Sequence, residues 1–145
     1  MRKIILLLSF VTCVTSISAE GLQSQEMPVN EMQKQNRQIV KLASEEITKT
    51  LPQKVDTYTT LQRVEGEGNK LTYVFEINTG AKSDEAVIKE DRSRMKKAVT
   101  SGICHSSKRF LDAQIDITYL YTSAASKVKL FQFDVSQKDC SQANR

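Results

Sequence analysis

The chain has 145 residues, of which 39% are hydrophobic and 26% charged, with 21 basic and 17 acidic side chains and a formal net charge of +4. The length fits one domain of ordinary size. So small an excess of positive charge gives no ground for a nucleic-acid partner or an anionic surface, and no stretch after the first twenty residues is long and apolar enough for a membrane helix.

The chain opens with Met1-Arg2-Lys3, an apolar run from Ile4 to Val14, and the small residues Ser16-Ile17-Ser18-Ala19 before Glu20. These are the three parts of a secretory signal peptide. The apolar run is too short to cross a bilayer, which needs roughly 20 residues. A buried N-terminal helix is the competing reading. The expectation is cleavage near Ala19 and a periplasmic or secreted product of 126 residues (145 − 19). Cleavage removes Arg2 and Lys3 and lowers the charge from +4 to +2. A lipid anchor at Cys13 is not expected, because Thr12 is a poor residue before a lipid-bearing cysteine.

Residues 20–29 read as a flexible lead-in, with Gln23, Ser24, Gln25 and Pro28. Asn30 is placed to cap a helix. Behind it Met32, Gln35, Ile39, Leu42, Ala43, Glu46 and Ile47 recur at spacings of three and four, against a polar face of Lys34, Arg37, Lys41 and Glu45. Pro52 stops the helix at or before Leu51. Two strands follow. Tyr58–Val64 is rich in β-branched and aromatic residues, 65–69 supplies a turn, and 70–78 alternates with Leu71, Tyr73, Phe75 and Ile77 on one face. Ser83 or Asp84 then caps a second helix, whose apolar stripe is Ile88, Met95, Val99 and Ile103, joined by Arg92. Residues 106–111 suggest one short helix more. Ile115, Ile117, Tyr119 and Tyr121 alternate in the third strand, and Ser123–Ser126 forms a turn. The last strand, Val128 to Val135, carries apolar residues on both faces near its middle, which suits a central or helix-covered strand.

The expected fold class is α+β, in the order α-β-β-α-α-β-β. A four-stranded, mainly antiparallel sheet of two hairpins carries its helices on one face. Residues 30–140 form the single domain and 141–145 a disordered tail. Loss of the leader leaves Cys104 and Cys140 as one pair in an exported chain, most simply read as a disulfide. It would tie the end of the main helix to the end of the last strand.

Chemistry-bearing residues are few. His105 is the sole histidine and sits at a helix end. Cys104 beside His105 is not a usual nucleophile geometry, and Cys104, His105 and Cys140 do not make a zinc set. Glu65 and Glu67 flank Gly66 as in an ordinary turn, and Asp84-Glu85 and Glu90-Asp91 suit a helix start. Phosphate-cradling glycine loops and serine nucleophile elbows are absent from the sequence. The expectation is no catalytic residue, no metal, no cofactor and no enzyme activity. Lys89, Arg92, Arg94, Lys96 and Lys97 form a basic patch, read as a solvated helix face.

A helix ending at Leu51-Pro52, two strands, a helix ending at Cys104, a short helix, two strands and Cys140 resemble the α/β (AspS-type) pilotins of type II secretion. The likeness spans 38–140. It implies a non-catalytic protein that binds a terminal helix of a secretin subunit and helps it reach the outer membrane, so a secretion-system component is the implied partner. Those pilotins are lipoproteins, and this leader lacks their lipid-anchoring signal. The alternative is a secreted inhibitor or surface-acting factor, acting through loops such as 65–69 or 124–126.

Overall fold

In a computed structural model, residues 29–143 are described. The expected signal peptide, its cleavage site, Cys13 and nearly all of the lead-in lie outside them. The elements are α1 (Val29–Thr48), β1 (Gln53–Lys54), β2 (Thr59–Glu67), β3 (Lys70–Ile77), α2 (Asp84–Ser106), α3 (Lys108–Asp112), β4 (Asp116–Ser123), β5 (Lys129–Val135) and α4 (Gln137–Ala143). The α+β class is as expected.

The sheet has five strands, not four, in the order β1-β2-β3-β4-β5. The added strand, β1, is two residues long and pairs Gln53 with Leu61 and Lys54 with Thr60. Two residues carry no alternation, so no pattern could announce it. The sheet is also mixed. β3 and β4 run parallel, with Leu71 opposite Ile117, Tyr73 opposite Tyr119 and Phe75 opposite Tyr121. The cause is the connection between the two hairpins. The 23 residues of α2 span roughly 35 Å at about 1.5 Å each, enough to carry the chain back along the whole sheet before β4 begins. α4 is a further addition, and the expected disordered tail starts inside it.

One sheet face holds the core. Val64, Leu71, Phe75, Ile117, Tyr121, Phe131, Phe133 and Val135 line it, and Val40 from α1 and Val87 and Ile103 from α2 close it. The expected double-sided β5 resolves differently. A register irregularity after Tyr121 turns Leu130 inward beside Phe131, so both reach the same core, while Val128 is exposed. β5 is an edge strand covered by α2, not a central one.

α1 is rotated from the expected stripe. It buries Asn36, Val40 and Ser44, with Ala43 and Ile47 half-buried, and leaves Ile39 and Leu42 exposed. The polar members of the buried row are satisfied: Asn36 Nδ2 donates to the Ala113 carbonyl at 2.7 Å and Ser44 Oγ to the Lys41 carbonyl at 2.9 Å. Burial without such partners would cost about 1–3 kcal/mol per group. Asn30 lies within the first turn of α1, one residue beyond its start. Ser83 caps α2 as expected, accepting from the Ala86 N–H. Gly66, expected in the turn, lies inside β2 beneath α1, and the turn shortens to Gly68 and Asn69, with φ +57° at Gly68.

Candidate functional site

The parallel register and the β4–β5 pairing gather six aromatic rings on the helix-covered face. Ring centroids lie 5.2 Å apart for Tyr73 and Tyr119, 4.8 Å for Phe75 and Tyr119, 4.9 Å for Phe75 and Tyr121, and 5.9 Å for Phe131 and Phe133. Such offset and tilted pairs add about 0.5–1.5 kcal/mol each beyond area burial. α1 lies chiefly on β2 and α2 on β5, so the central strands have little helix directly above them. Tyr73 and Tyr119 accordingly stay half-buried. Burial raises the hydroxyl pKa of Tyr73, Tyr119 and Tyr121 above the ordinary 10.0. At Tyr121 the neighbouring Tyr119 and the Asp56 carboxylate add to the effect of burial.

Asp56 belongs to the loop between β1 and β2, which forms one wall of a groove of about 830 Å³. The opposite wall is the first half of α2, with Val87, Asp91, Arg94 and Met95. Ile77, the last residue of β3, and the residues that follow it to Gly80 complete the lining. The loop is held by its own hydrogen bonds. Asp56 Oδ1 accepts from the backbone N–H groups of Tyr58 and Thr59, each at 2.8 Å. The first of these bonds is the main reason its carboxyl stays below the usual carboxylate range. Asn78 N–H donates to the Tyr58 carbonyl at 2.8 Å, tying the loop to β3. This fixed loop presents Tyr58 with 65% of its surface exposed. An exposed aromatic on a fixed loop, lining the same groove as half-buried Ile77 and Met95, is a ready apolar contact surface.

The structure brings Cys104 and Cys140 together, with Cα atoms 5.4 Å apart and the sulfurs at bonding distance. They lie between α2 and α4 beside a second cleft of about 530 Å³ that His105, Lys108 and Asp112 also line. Glu65 pairs with Arg63, Glu90 with Lys82 and Asp91 with Arg94, so these acids serve surface ion pairs. Asp84 accepts from Ser126 Oγ and joins α2 to the β4–β5 turn. The loops at 65–69 and 124–126 stand at opposite ends of the sheet: Asn69 bonds Asp116 at the start of β4, and Ala124 bonds Ile77 at the end of β3. Among the described residues no group of three His, Cys, Asp or Glu is placed to hold a metal ion. No helix among them is long and apolar enough to cross a membrane. Asp56 and Tyr58 are not singled out by the sequence. The available signal is an acid two and three residues before Tyr58 and Thr59, which is Asx-turn spacing.

This arrangement is the fold of the α/β pilotins. The pilotin EpsS of the Vibrio vulnificus type 2 secretion system superposes with a TM-score of 0.61 at 15% identity, over 77% of this chain and 96% of that one. The type II secretion pilotin AspS of Vibrio cholerae gives 0.59 at 16% identity, over 77% and 97%. A candidate secreted protein of Pseudomonas aeruginosa gives 0.64 at 13% identity, over 75% and 96%. The chain belongs to the family described as a domain of unknown function, DUF8479, whose pattern matches residues 34–131. No curated protein matches it in sequence.

Proposed function

We propose that this is an exported, non-catalytic accessory protein that binds one helix of a partner in the groove between the β1–β2 loop and α2. The observation that carries the reading is that groove itself, lined by an exposed Tyr58 on a fixed loop together with Met95 and Ile77. A helix offers apolar side chains at i, i+3, i+4 and i+7, a spacing suited to such a trough. The pilotin-like fold supports a secretion-system subunit as the partner. Within the same proposal the signal peptide is cleaved near Ala19, residues 30–140 form the single domain, and Cys104 and Cys140 are oxidised to a disulfide in the exported chain.

The test is a titration of a labelled peptide corresponding to the terminal helix of the cognate secretin, read by fluorescence anisotropy. Saturable binding is expected, with Tyr58→Ser and Met95→Asp each weakening it about tenfold or more, the loss typical of a central anchor. A flat titration, or undiminished binding by both variants, would overturn the reading.

A further inference from the structure

The net charge of the chain is mild, but its distribution along α2 is not. From Arg92 to Leu111 the sequence holds Arg92, Arg94, Lys96, Lys97, Lys108 and Arg109 and no aspartate or glutamate. Arg94 pairs with Asp91 and Lys108 with Asp112. Among the described residues Lys89, Arg92, Lys96 and Lys97 form no ion pair within α2 or across it, and all four are exposed. Lys89, Arg92 and Lys96 follow one another at spacings of three and four, and with the adjacent Lys97 they span about 12 Å of helix, since each residue rises about 1.5 Å. Lys96 acts on one acid of another element, Asp139 of α4, whose carboxylate is already engaged by Ser136. Between the lysines lies a shallow depression of about 460 Å³ edged by Ser93, Thr100 and Ser101, whose hydroxyls are hydrogen-bond donors.

We infer that this face of α2 is a docking ridge for an anionic lipid surface. Like charges crowded without partners repel one another, and an array of phosphate headgroups is the complement that relieves all four at once. A single soluble anion would meet only exposed side chains with no buried polar partner among them. Methylene stems beneath charged heads suit the headgroup zone, where such side chains keep the charge outermost. The face carries none of the exposed large hydrophobic residues of the described chain, so binding is electrostatic, reversible and screened by salt. The ridge shares no residue with the groove proposed for the partner helix, so this inference stands apart from that reading.

Cosedimentation of the mature chain with phosphatidylcholine vesicles, with and without phosphatidylglycerol, tests it. The expected result is pelleting with the anionic vesicles alone, abolished at high salt. Each cation near an anionic surface is worth about a fivefold factor. The variant Lys89→Gln, Arg92→Gln, Lys96→Gln, Lys97→Gln should therefore partition about two to three orders of magnitude less. A control with the same charge change, Lys34→Gln, Arg37→Gln, Lys41→Gln, Lys54→Gln, should stay within a few fold of the parent. Circular dichroism confirms that both variants fold. No pelleting, pelleting with phosphatidylcholine alone, an unaffected ridge variant, or equal losses in both variants would overturn the inference. Saturable NMR shifts at α2 on addition of inorganic phosphate without vesicles would also overturn it, in favour of a soluble-anion site.

Discussion

Gly66 shows how one residue sets a helix–sheet distance. A Cβ built there would stand 2.8 Å from Ser44 Oγ, 2.8 Å from the Val40 carbonyl oxygen and 2.9 Å from Val40 Cγ1. The hydroxyl could swing aside, but the carbonyl belongs to the α1 backbone and moves only with the helix. Gly66→Ala should therefore lose about 1–3 kcal/mol, the usual cost of overpacking, seen as a lower urea midpoint with an unchanged slope. Gly102 is its counterpart. It lies inside α2, and a methyl group added there would meet nothing within 4 Å, so Gly102→Ala should raise stability by about 0.5–1 kcal/mol through backbone entropy alone. Equal shifts in both variants would remove the steric account of Gly66. The sequence shows both glycines in unremarkable places, one beside acids in an apparent turn and one near a helix end. Only the approach of α1 separates them.

At the scale of elements, the periodic ones are legible in the sequence, the strands by alternation and α1 and α2 by spacings of three and four, while the two-residue β1 is not. Leu71, Tyr73, Phe75 and Ile77, then Ile117, Tyr119 and Tyr121, name their shared face by period alone. The parallel pairing of those two strands depends on where α2 returns the chain, which no local pattern records. The rotation of α1 is hidden because Asn36 and Ser44 look like surface residues until the Ala113 and Lys41 carbonyls meet them. α4 does leave a mark. Ser136 and Asp139 have capping-box spacing, and the Asp139 carboxylate accepts from both the Ser136 N–H at 2.8 Å and its hydroxyl at 2.7 Å. Those bonds hold the Asp139 carboxyl below its ordinary range. Capping fixes where α4 starts, and the cysteine pair fixes where it lies, against the last turn of α2. With the cysteines 36 positions apart in sequence, a bond there removes about 3.5–4 kcal/mol of chain entropy from the unfolded state. The double variant Cys104→Ser, Cys140→Ser should lose up to about that much by guanidinium denaturation. Reduced parent protein should match it. If thiol labelling of the unfolded, unreduced mature chain finds both cysteines free, the bond is absent and the variant should be near neutral.

For the whole molecule, the tyrosines couple stability to alkaline pH. Tyr73, Tyr119 and Tyr121 have hydroxyl pKa values raised in the fold above 10.0, chiefly because burial disfavours the phenolate. Their contribution to stability is fully present below about pH 10, where folded and unfolded chains both keep the proton. Above that pH the unfolded chain loses protons that the folded chain still holds, so stability falls as pH rises toward the folded-state values. The packed rings share one wall of the core, so forcing a charge onto one of them disturbs the packing between β3, β4 and β5 together. In a Tyr58→Phe background, which removes the exposed fourth tyrosine, absorbance near the tyrosinate band should therefore rise late and cooperatively, in step with loss of the far-ultraviolet circular dichroism signal. Tyr121→Phe keeps the ring and removes the ionisation with the strongest opposition. It should shift alkaline unfolding to higher pH while leaving stability at neutral pH within about 1 kcal/mol, since an isosteric change in a core costs little. A gradual tyrosinate titration of the Tyr58→Phe variant centred near pH 10 with the fold intact would show that the aromatic row is open to water and would overturn the burial account of the raised values.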